Sequence, residues 1–509
     1  MSEAATRPGA HATALLASLD PLLREWLPRQ RWFAGKGRPI GALEPVELTE
    51  LLPPDAPSRL LHVLLRVHRP LVPAQDSAPD TDVERPGDCY QLLLGVRRTL
   101  PPPLAPALIG RLTEGPLAGG TVYEALRDPR LAALLLERLR IPGRHGVLRF
   151  ERDPDTEIPS GLTPRPLAAE QSNTSLVYGD TFILKLFRRV VPGLNPDLEL
   201  PLHLARQGCA RVPAPAAWFL ADLGSGTAGT AGPPGAAADT TCTLGVLQPY
   251  LAAAEDGWDL ALRTLGKGEP FTGEARALGR ATAEVHASLA DALPTVTLGR
   301  AQVELIADAM ADRLTAAAQA VPALRPFAPG LLTAFEALAD LGGEGQAWTA
   351  QRVHGDLHLG QCLRAPDGHW SLIDFEGEPA RPLGERRMPQ PTVRDVAGML
   401  RSFDYAARSK GPWSPEWAAD CRAGSRAATR ARTRCSCAPT RRTRPSTKSS
   451  TRRATGPTGS RSPWPRPAAS PRTAPPKTPT DHSSGGGSFR DPPLPQTVRR
   501  LHRPSRTPP

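Results

Sequence analysis

Apolar residues recur at helical spacing near the start of the chain, with Leu15, Leu16, Leu19, Leu22, Leu23 and Trp26 on one stripe across residues 12–27. Asp20 followed by Pro21 reads as an N-cap and first helical residue, so the helix is expected to break and restart there. The string RWFAGKGR at 31–38 ends this pattern. Leu60–Val67 and Tyr90–Val96 then read as strands, and the proline- and aspartate-rich stretch 70–88 between them as a loop. Residues 1–100 therefore group as a small α+β unit.

Strand-like patterning returns from 147 to 190. Ser175–Tyr178 and Thr181–Leu186 flank Gly179 and Asp180, a hairpin turn signal. Residues 224–239 are almost all small and predict a surface loop. From 257 to 345 alanine and leucine dominate at helical spacing, which predicts a helical lobe. Two short strand-like segments follow, VHGDLHLGQCLR and HWSLIDFEG. The expected division is an intermediate segment and β-rich lobe over 101–250, a helical lobe over 251–420 and a tail over 421–509. A chain of 509 residues is too long for one ordinary domain, which agrees with this partition.

Charge sharpens the picture. The net charge is +11, a value that suggests a nucleic-acid partner. However, 20 of the 62 basic residues and only two of the 51 acids lie after residue 420, leaving a body of net charge −7. The seven cysteines are scattered, and Cys435 and Cys437 lack the further ligands that a closed zinc site needs. No run of eighteen apolar residues occurs, so no membrane span is expected. No apolar leader core follows the N-terminus, and a cytoplasmic location is the default expectation.

The candidate chemistry is phosphoryl transfer. That reaction needs phosphates held, metal ions placed and a carboxylate near the attacking hydroxyl. In His354-Gly355-Asp356-Leu357-His358-Leu359-Gly360-Gln361, Asp356 and Gln361 are five apart. This is the spacing of the catalytic Asp and metal-binding Asn in a kinase catalytic loop. Thirteen residues on, Ile373-Asp374-Phe375-Glu376-Gly377 ends an apolar strand with an Asp-Phe-x-Gly pattern. Asp374 and Gln361 are the expected Mg²⁺ ligands.

Upstream, Lys185 interrupts the apolar strand Phe182–Leu186 and is the candidate for the ATP phosphates; a lysine snorkelling from a strand edge is the bland alternative. Glu199 opens the next expected helix as its candidate partner, with Asp197 as the rival. Before the lysine strand stand Ser172, Asn173 and Thr174, with no glycine-rich loop and no Walker A motif. These three are the candidates to cover the phosphates. Gln248 and Tyr250 follow an apolar strand and read as the hinge that meets adenine. His286 reads as a packed helix histidine.

The pair HGD at 354–356 and IDF at 373–375 resembles the aminoglycoside and choline kinase superfamily. Longer strings resemble the maltokinase family: RWFAGKGR, QSNTSLVYGD at 171–180, GLNPDLEL at 193–200, HGDLHLGQ at 354–361, IDFEGEPARPLGERR at 373–387 and RDVAGMLRSFDY at 394–405. The resemblance covers residues 12 to about 420. It implies an α+β, bilobal, eukaryotic-protein-kinase-like fold with an N-terminal α+β cap domain. It implies transfer of the ATP γ-phosphate to maltose, giving maltose 1-phosphate for α-glucan synthesis. On that resemblance Asp356 is the base, Gln361 and Asp374 hold Mg²⁺, and Lys185 holds the phosphates. A kinase of the same fold acting on an aminoglycoside or a choline-like compound is the alternative.

From about Cys421 the sequence becomes arginine, threonine, proline and serine, and a disordered basic tail is expected. Such a tail would bind nucleic acid only non-specifically, which is the reading from a different functional class. A sharper reading is an out-of-frame translation. Joining the last base of each codon to the first two of the next, with free wobble bases, Ala438–Pro465 can be read as AYETDKAVYEVVYEARHRPDWLPIPLA. That string is amphipathic and resembles the C-terminal helices of maltokinases.

Overall fold

The computed structural model describes residues 10–53, 55–69, 87–167, 172–223, 241–343, 348–379, 381–409 and 414–436. Most of the loop expected at 70–88, the loop expected at 224–239 and the segment 437–509 lie outside the described residues.

Helix α1 (Ala10–Trp26) runs without a break through Pro21. The restart expected at Asp20 does not occur. Ala17, whose carbonyl loses a donor at Pro21, is exposed, so water can satisfy it, and Asp20 pairs instead with Arg24 one turn on. The helix lies over a sheet of β1 (Leu43–Glu50), β2 (Arg59–Val67), β3 (Asp88–Arg97), β4 (Leu108–Arg111) and β5 (Thr121–Glu124), in the order β1-β2-β3-β5-β4. Its apolar stripe is buried with Phe33, Val63, Leu65, Tyr90, Leu92 and Leu94. Because β5 pairs with β3, this first unit takes in strands beyond residue 100.

Helix α2 (Pro129–Arg140), capped by Asp128, leads into a second sheet. It comprises β6 (Gly143–His145), β7 (Leu148–Arg152), β8 (Pro164–Pro166), β9 (Thr174–Tyr178) and β10 (Phe182–Leu186). A short β11 (Arg189–Val190) leaves it to pair with β3, and β12 (Ala217–Asp222) and β13 (Thr241–Pro249) complete it. The order is β6-β7-β12-β13-β10-β9-β8. The β9–β10 hairpin turns at Gly179 and Asp180, both with positive φ (55° and 52°), as the sequence signal requires. The two sheets are also tied by a buried network. Gln91 Oε1 accepts from His62 Nε2 (2.9 Å), and its Nε2 donates to the carbonyls of Phe187 (3.0 Å) and Leu244 (2.9 Å).

Helix α3 (Pro196–Arg206) follows β11 with Asn195 as N-cap. The helical lobe begins at β14 (Glu255–Asp256) and continues with α4 (Gly257–Gly266), α5 (Thr272–Ala292), β15 (Val296–Leu298), α6 (Arg300–Ala320) and α7 (Ala328–Gly343). Then come β16 (Trp348–Gln351), β17 (Cys362–Arg364), β18 (Trp370–Leu372), α8 (Leu383–Arg386), β19 (Gln390–Pro391), α9 (Val393–Ser409) and α10 (Pro415–Ser436). A core of Phe271, Leu278, Val285, Leu359, Trp370, Phe375 and Phe403 binds α5, the β17–β18 hairpin and α9 together.

The change of composition at Cys421 does not end the fold. Helix α10 continues to Ser436, although residues 421–436 were expected in the disordered tail. Trp417, Ala418, Cys421 and Ser425 are buried on one side of it, and Gly424 packs on Thr272 and Arg276 of α5. Small residues at this spacing let two helices approach closely whatever the composition of the exposed face.

Candidate active site

Strand β10 alternates buried and half-buried positions, which places Ile183 and Lys185 together on the face toward the helical lobe. The Lys185 ammonium lies 2.9 Å from Asp197 Oδ2, 2.5 Å from Asp374 Oδ1 and 2.7 Å from Glu376 Oε1. Burial opposes its charge, but these three carboxylates outweigh burial and hold its pKa well above the ordinary value.

The partner of Lys185 on α3 is thus Asp197 and not Glu199. The two are about 200° apart around a helix, so only one can face the strand. Asp197 also accepts from the backbone N–H of Phe375 at 2.6 Å. Glu199 points the other way and takes a two-pronged bond from Arg352, at 3.0 and 2.8 Å. Helical geometry shows from sequence alone that only one of the two can face the strand, and the contacts of Asp197 identify which.

The loop after β18 carries the metal-site candidate. Asp374 has φ of 64°, a conformation that non-glycine residues adopt only when their surroundings enforce it. Its Oδ2 accepts from Gln361 Nε2 at 2.9 Å. Burial raises its pKa, and Lys185 more than reverses that, so the carboxyl is held below its ordinary value. Glu376 is shifted upward, because burial and the neighbouring Asp374 and Asp197 outweigh Lys185. With its amide nitrogen on Asp374, Gln361 has its Oε1 left for a cation. Carboxylate and amide oxygens are the donor set that Mg²⁺ takes, so these residues fit the ion.

The catalytic-loop candidate is fixed from below. The backbone N–H groups of His354 and Gly355 donate to Asp395 of α9, at 2.9 and 2.8 Å, and His286 bonds the same carboxylate at 2.8 Å. His286 is therefore a packed histidine with a structural partner. His354 Nε2 bonds the carbonyl of Ile373 at 2.9 Å. Gly355 (φ 86°) lies against Gly377 (φ 71°), and a Cβ on Gly355 would come within 3.2 Å of Gly377 Cα. A side chain at either glycine would strain the backbone at these positive φ angles, and their contact joins the Asp356 loop to the Asp374 loop.

Two cavities are lined by residues of these two loops. One, of about 340 Å³, is lined by Ser172, Asn173, Ser175, Lys185, Gln248 and Tyr250, with Gln361 and Asp374 at its floor. Thr174 is not among its walls; its hydroxyl accepts from Arg188 Nε at 2.7 Å, on the other face of β9, and Ser175 lines the cavity instead. The second cavity, of about 850 Å³, is bordered by Asp356, Trp348, Glu378, Arg381, Gln390 and Arg394. Glu378 Oε2 accepts from Arg381 (2.9 Å) and Arg394 (2.8 Å). Burial raises the Glu378 pKa, but these arginines hold the carboxyl below its ordinary value. Sequence reasoning assigned no role to Asp395, Glu376, Glu378 or Trp348, because single acids and aromatics carry no spacing signal.

Residues 26–128 match the maltokinase N-terminal cap domain, and residues 163–434 match the phosphotransferase enzyme family. A glucosamine kinase of Streptacidiphilus jiangxiensis is 32% identical over 260 residues, covering 48% of this chain and 55% of the relative. A glucosamine kinase of Mycolicibacterium smegmatis is 29% identical over 257 residues, covering 48% and 59%. The chain thus matches little more than half the length of these curated relatives. A solved glucosamine kinase in complex with glucosamine, ADP and inorganic phosphate aligns with TM-score 0.53 and 22% identity, over 82% of this chain and 87% of that one. A second crystal form aligns with TM-score 0.55 over 82% and 88%. At this identity the likeness shows a shared fold. The family match spans more than half of the sequence, and the chain belongs to the phosphotransferase enzyme family, with a maltokinase N-terminal cap domain before it.

Proposed function

We propose that this chain transfers the γ-phosphoryl group of ATP to a sugar hydroxyl, and that the sugar is maltose, converted to maltose 1-phosphate for α-glucan synthesis. The observation that carries this reading is the division of labour across the Gly355–Gly377 contact. Asp356 borders the larger cavity, while Lys185, Gln361 and Asp374 line the smaller one.

In this mechanism adenine lies against the strand end at Gln248–Tyr250, and Ser172 and Asn173 cover the phosphates. Lys185 neutralises phosphate charge from its place on β10. Gln361 Oε1 and the Asp374 carboxylate would hold Mg²⁺, which supplies charge neutralisation at the phosphate oxygens. Asp356 accepts the proton of the attacking hydroxyl. The larger cavity is within the range of small-molecule sites and exceeds what one pyranose ring fills. Its arginines, carboxylates and Gln390 offer donors and acceptors for hydroxyl groups, and Trp348 offers a flat apolar face. The cap-domain match supports maltose in particular.

Glucosamine is the second reading, favoured by the names of the curated relatives. A panel of maltose, glucosamine, glucose, choline and an aminoglycoside, each with ATP and Mg²⁺, separates the readings by product analysis. Maltose 1-phosphate formation supports the assignment. Phosphorylation of glucosamine in preference to maltose replaces it.

A further inference from the structure

Glu376 lies two residues beyond the metal-ligand candidate, and its carboxylate is engaged by the groups assigned to phosphate. Its Oε1 accepts from Asn173 Nδ2 at 2.6 Å and from Lys185 Nζ at 2.7 Å. One donor comes from the loop before β9 and the other from β10, both in the β-rich lobe. The acceptor comes from the helical lobe. The backbone carbonyl of Glu376 is itself held by Arg386 Nη1 at 2.9 Å, so the residue is fixed at both ends. Asn173 is 8% exposed, and the Glu376 and Lys185 side chains are 20% and 14% exposed.

We propose that Glu376 is a phosphate stand-in, which holds Lys185 and Asn173 at the spacing of phosphate donors and must be displaced when a nucleotide binds. To an N–H donor, a carboxylate oxygen and a non-bridging phosphate oxygen are equivalent: each is a negatively charged acceptor at the same reach. The three N–H bonds of the Lys185 ammonium are already taken by Asp197, Asp374 and Glu376, so a nucleotide phosphate that bonds Lys185 must displace a carboxylate, and Glu376 is the one that Lys185 shares with Asn173. Charge works in the same direction. Asp197, Asp374 and Glu376 surround one ammonium, so the cluster carries a net charge of −2 before any nucleotide phosphate arrives. Release of Glu376 removes one of these acids from the donors. The adenosine end, at Gln248–Leu251, is outside this exchange. The residue therefore sets affinity for the phosphate part of the nucleotide and not for its base.

This inference rests on the nucleotide reading of the smaller cavity, and the experiment separates the two. Titration calorimetry on the full chain measures ADP and adenosine in the presence of EDTA, for wild type, Glu376→Gln and Glu376→Ala. The expected result is an ADP affinity raised about tenfold in Glu376→Ala and less in Glu376→Gln, on the scale of one charge-assisted hydrogen bond. Adenosine affinity is expected to stay the same. ADP binding that is unchanged or weaker in both variants, with adenosine binding retained, overturns the proposal. Loss of adenosine binding in both variants also overturns it, by making Glu376 a support for the fold. Wild type that binds neither ligand removes the nucleotide reading itself.

Discussion

Asp395 reaches across from α9 to hold the backbone N–H of Gly355 at 2.8 Å, directly beside the candidate base Asp356. The same carboxylate takes the N–H of His354 and the ring of His286, so one buried side chain holds the start of the candidate catalytic loop. Burial raises the Asp395 pKa, but the hydrogen bond and charge of His286, the charge of His354 and the N–H of Gly355 hold it below the ordinary 3.8. A carboxylate depressed in this way contributes stability that is complete above its unfolded pKa and lost as pH falls through its folded one. Asp395→Ala leaves two backbone donors without partners and should cost roughly 3 kcal/mol of stability. It should also lower kcat by about 10²-fold through misplacement of Asp356, with little change in KM for ATP. Denaturant melts and steady-state kinetics check the two parts.

Asp356 itself is tested by Asp356→Asn. The loop geometry survives, but the proton acceptor is gone, so kcat should fall by about 10²–10⁴-fold while ADP binding stays within about twofold. Retention of most activity would remove Asp356 from the role of base.

The exchange of Asp197 for Glu199 as the partner of Lys185 makes a contrast. Asp197→Asn withdraws a carboxylate from Lys185 and weakens the bond to the Phe375 N–H, so kcat/KM should fall at least tenfold. Glu199→Gln loosens Arg352 and the longer ion pair to Arg387, not Lys185, and should leave kcat/KM within about threefold while lowering Tm. The reverse ranking would restore the reading taken from the sequence.

Much of this arrangement was legible before the fold was known. Asp356, Gln361 and Asp374 carry a spacing that phosphoryl transfer requires, and Lys185 is conspicuous because charge within an apolar strand needs a reason. Spacing could not show what arrives from elsewhere in the chain. Asp395 meets Gly355 across 40 residues, and Asn173 meets Glu376 across 203. Composition also misplaced the end of the fold. It registers the arginine content of α10 and the residues after it, whereas the contact with α5 depends on a few small residues, Gly424 and Ser425 among them.

His62 should make stability pH-dependent in a separate range. Burial lowers its pKa from 6.5 to about 4, with the Gln91 hydrogen bond acting weakly the other way. A histidine depressed in this way contributes stability that is complete above the unfolded pKa and lost as pH falls from 6.5 toward 4. The shift corresponds to about 3 kcal/mol. Melts at pH 7.5 and 4.5 should show a smaller loss in His62→Gln than in wild type. Equal losses would show that His62 does not titrate with unfolding.

The last prediction concerns the reading frame. On α6 only Val303, Ala307 and Leu314 are buried among its described residues, and the α6–α7 region leaves Leu305, Val321, Phe327, Leu331 and Leu332 exposed. An apolar face of this kind calls for cover. Residues 437–509 as written are dominated by arginine, proline, serine and threonine and have few apolar residues to offer. The alternative reading AYETDKAVYEVVYEARHRPDWLPIPLA carries aromatic and apolar residues at helical spacing, and it adds tyrosine, glutamate, aspartate and arginine side chains suited to sugar hydroxyls. A gene restored to that frame by one base within codons 418–435 should yield a protein that aggregates less and phosphorylates maltose at least 10²-fold faster than the chain as written, the scale expected when acceptor positioning is recovered. Sequencing of that region tests for the missing or extra base, and parallel assays of both proteins test the consequence. Equal maltose kinase activity in the two would show that the fold through Ser436 already contains the whole acceptor site.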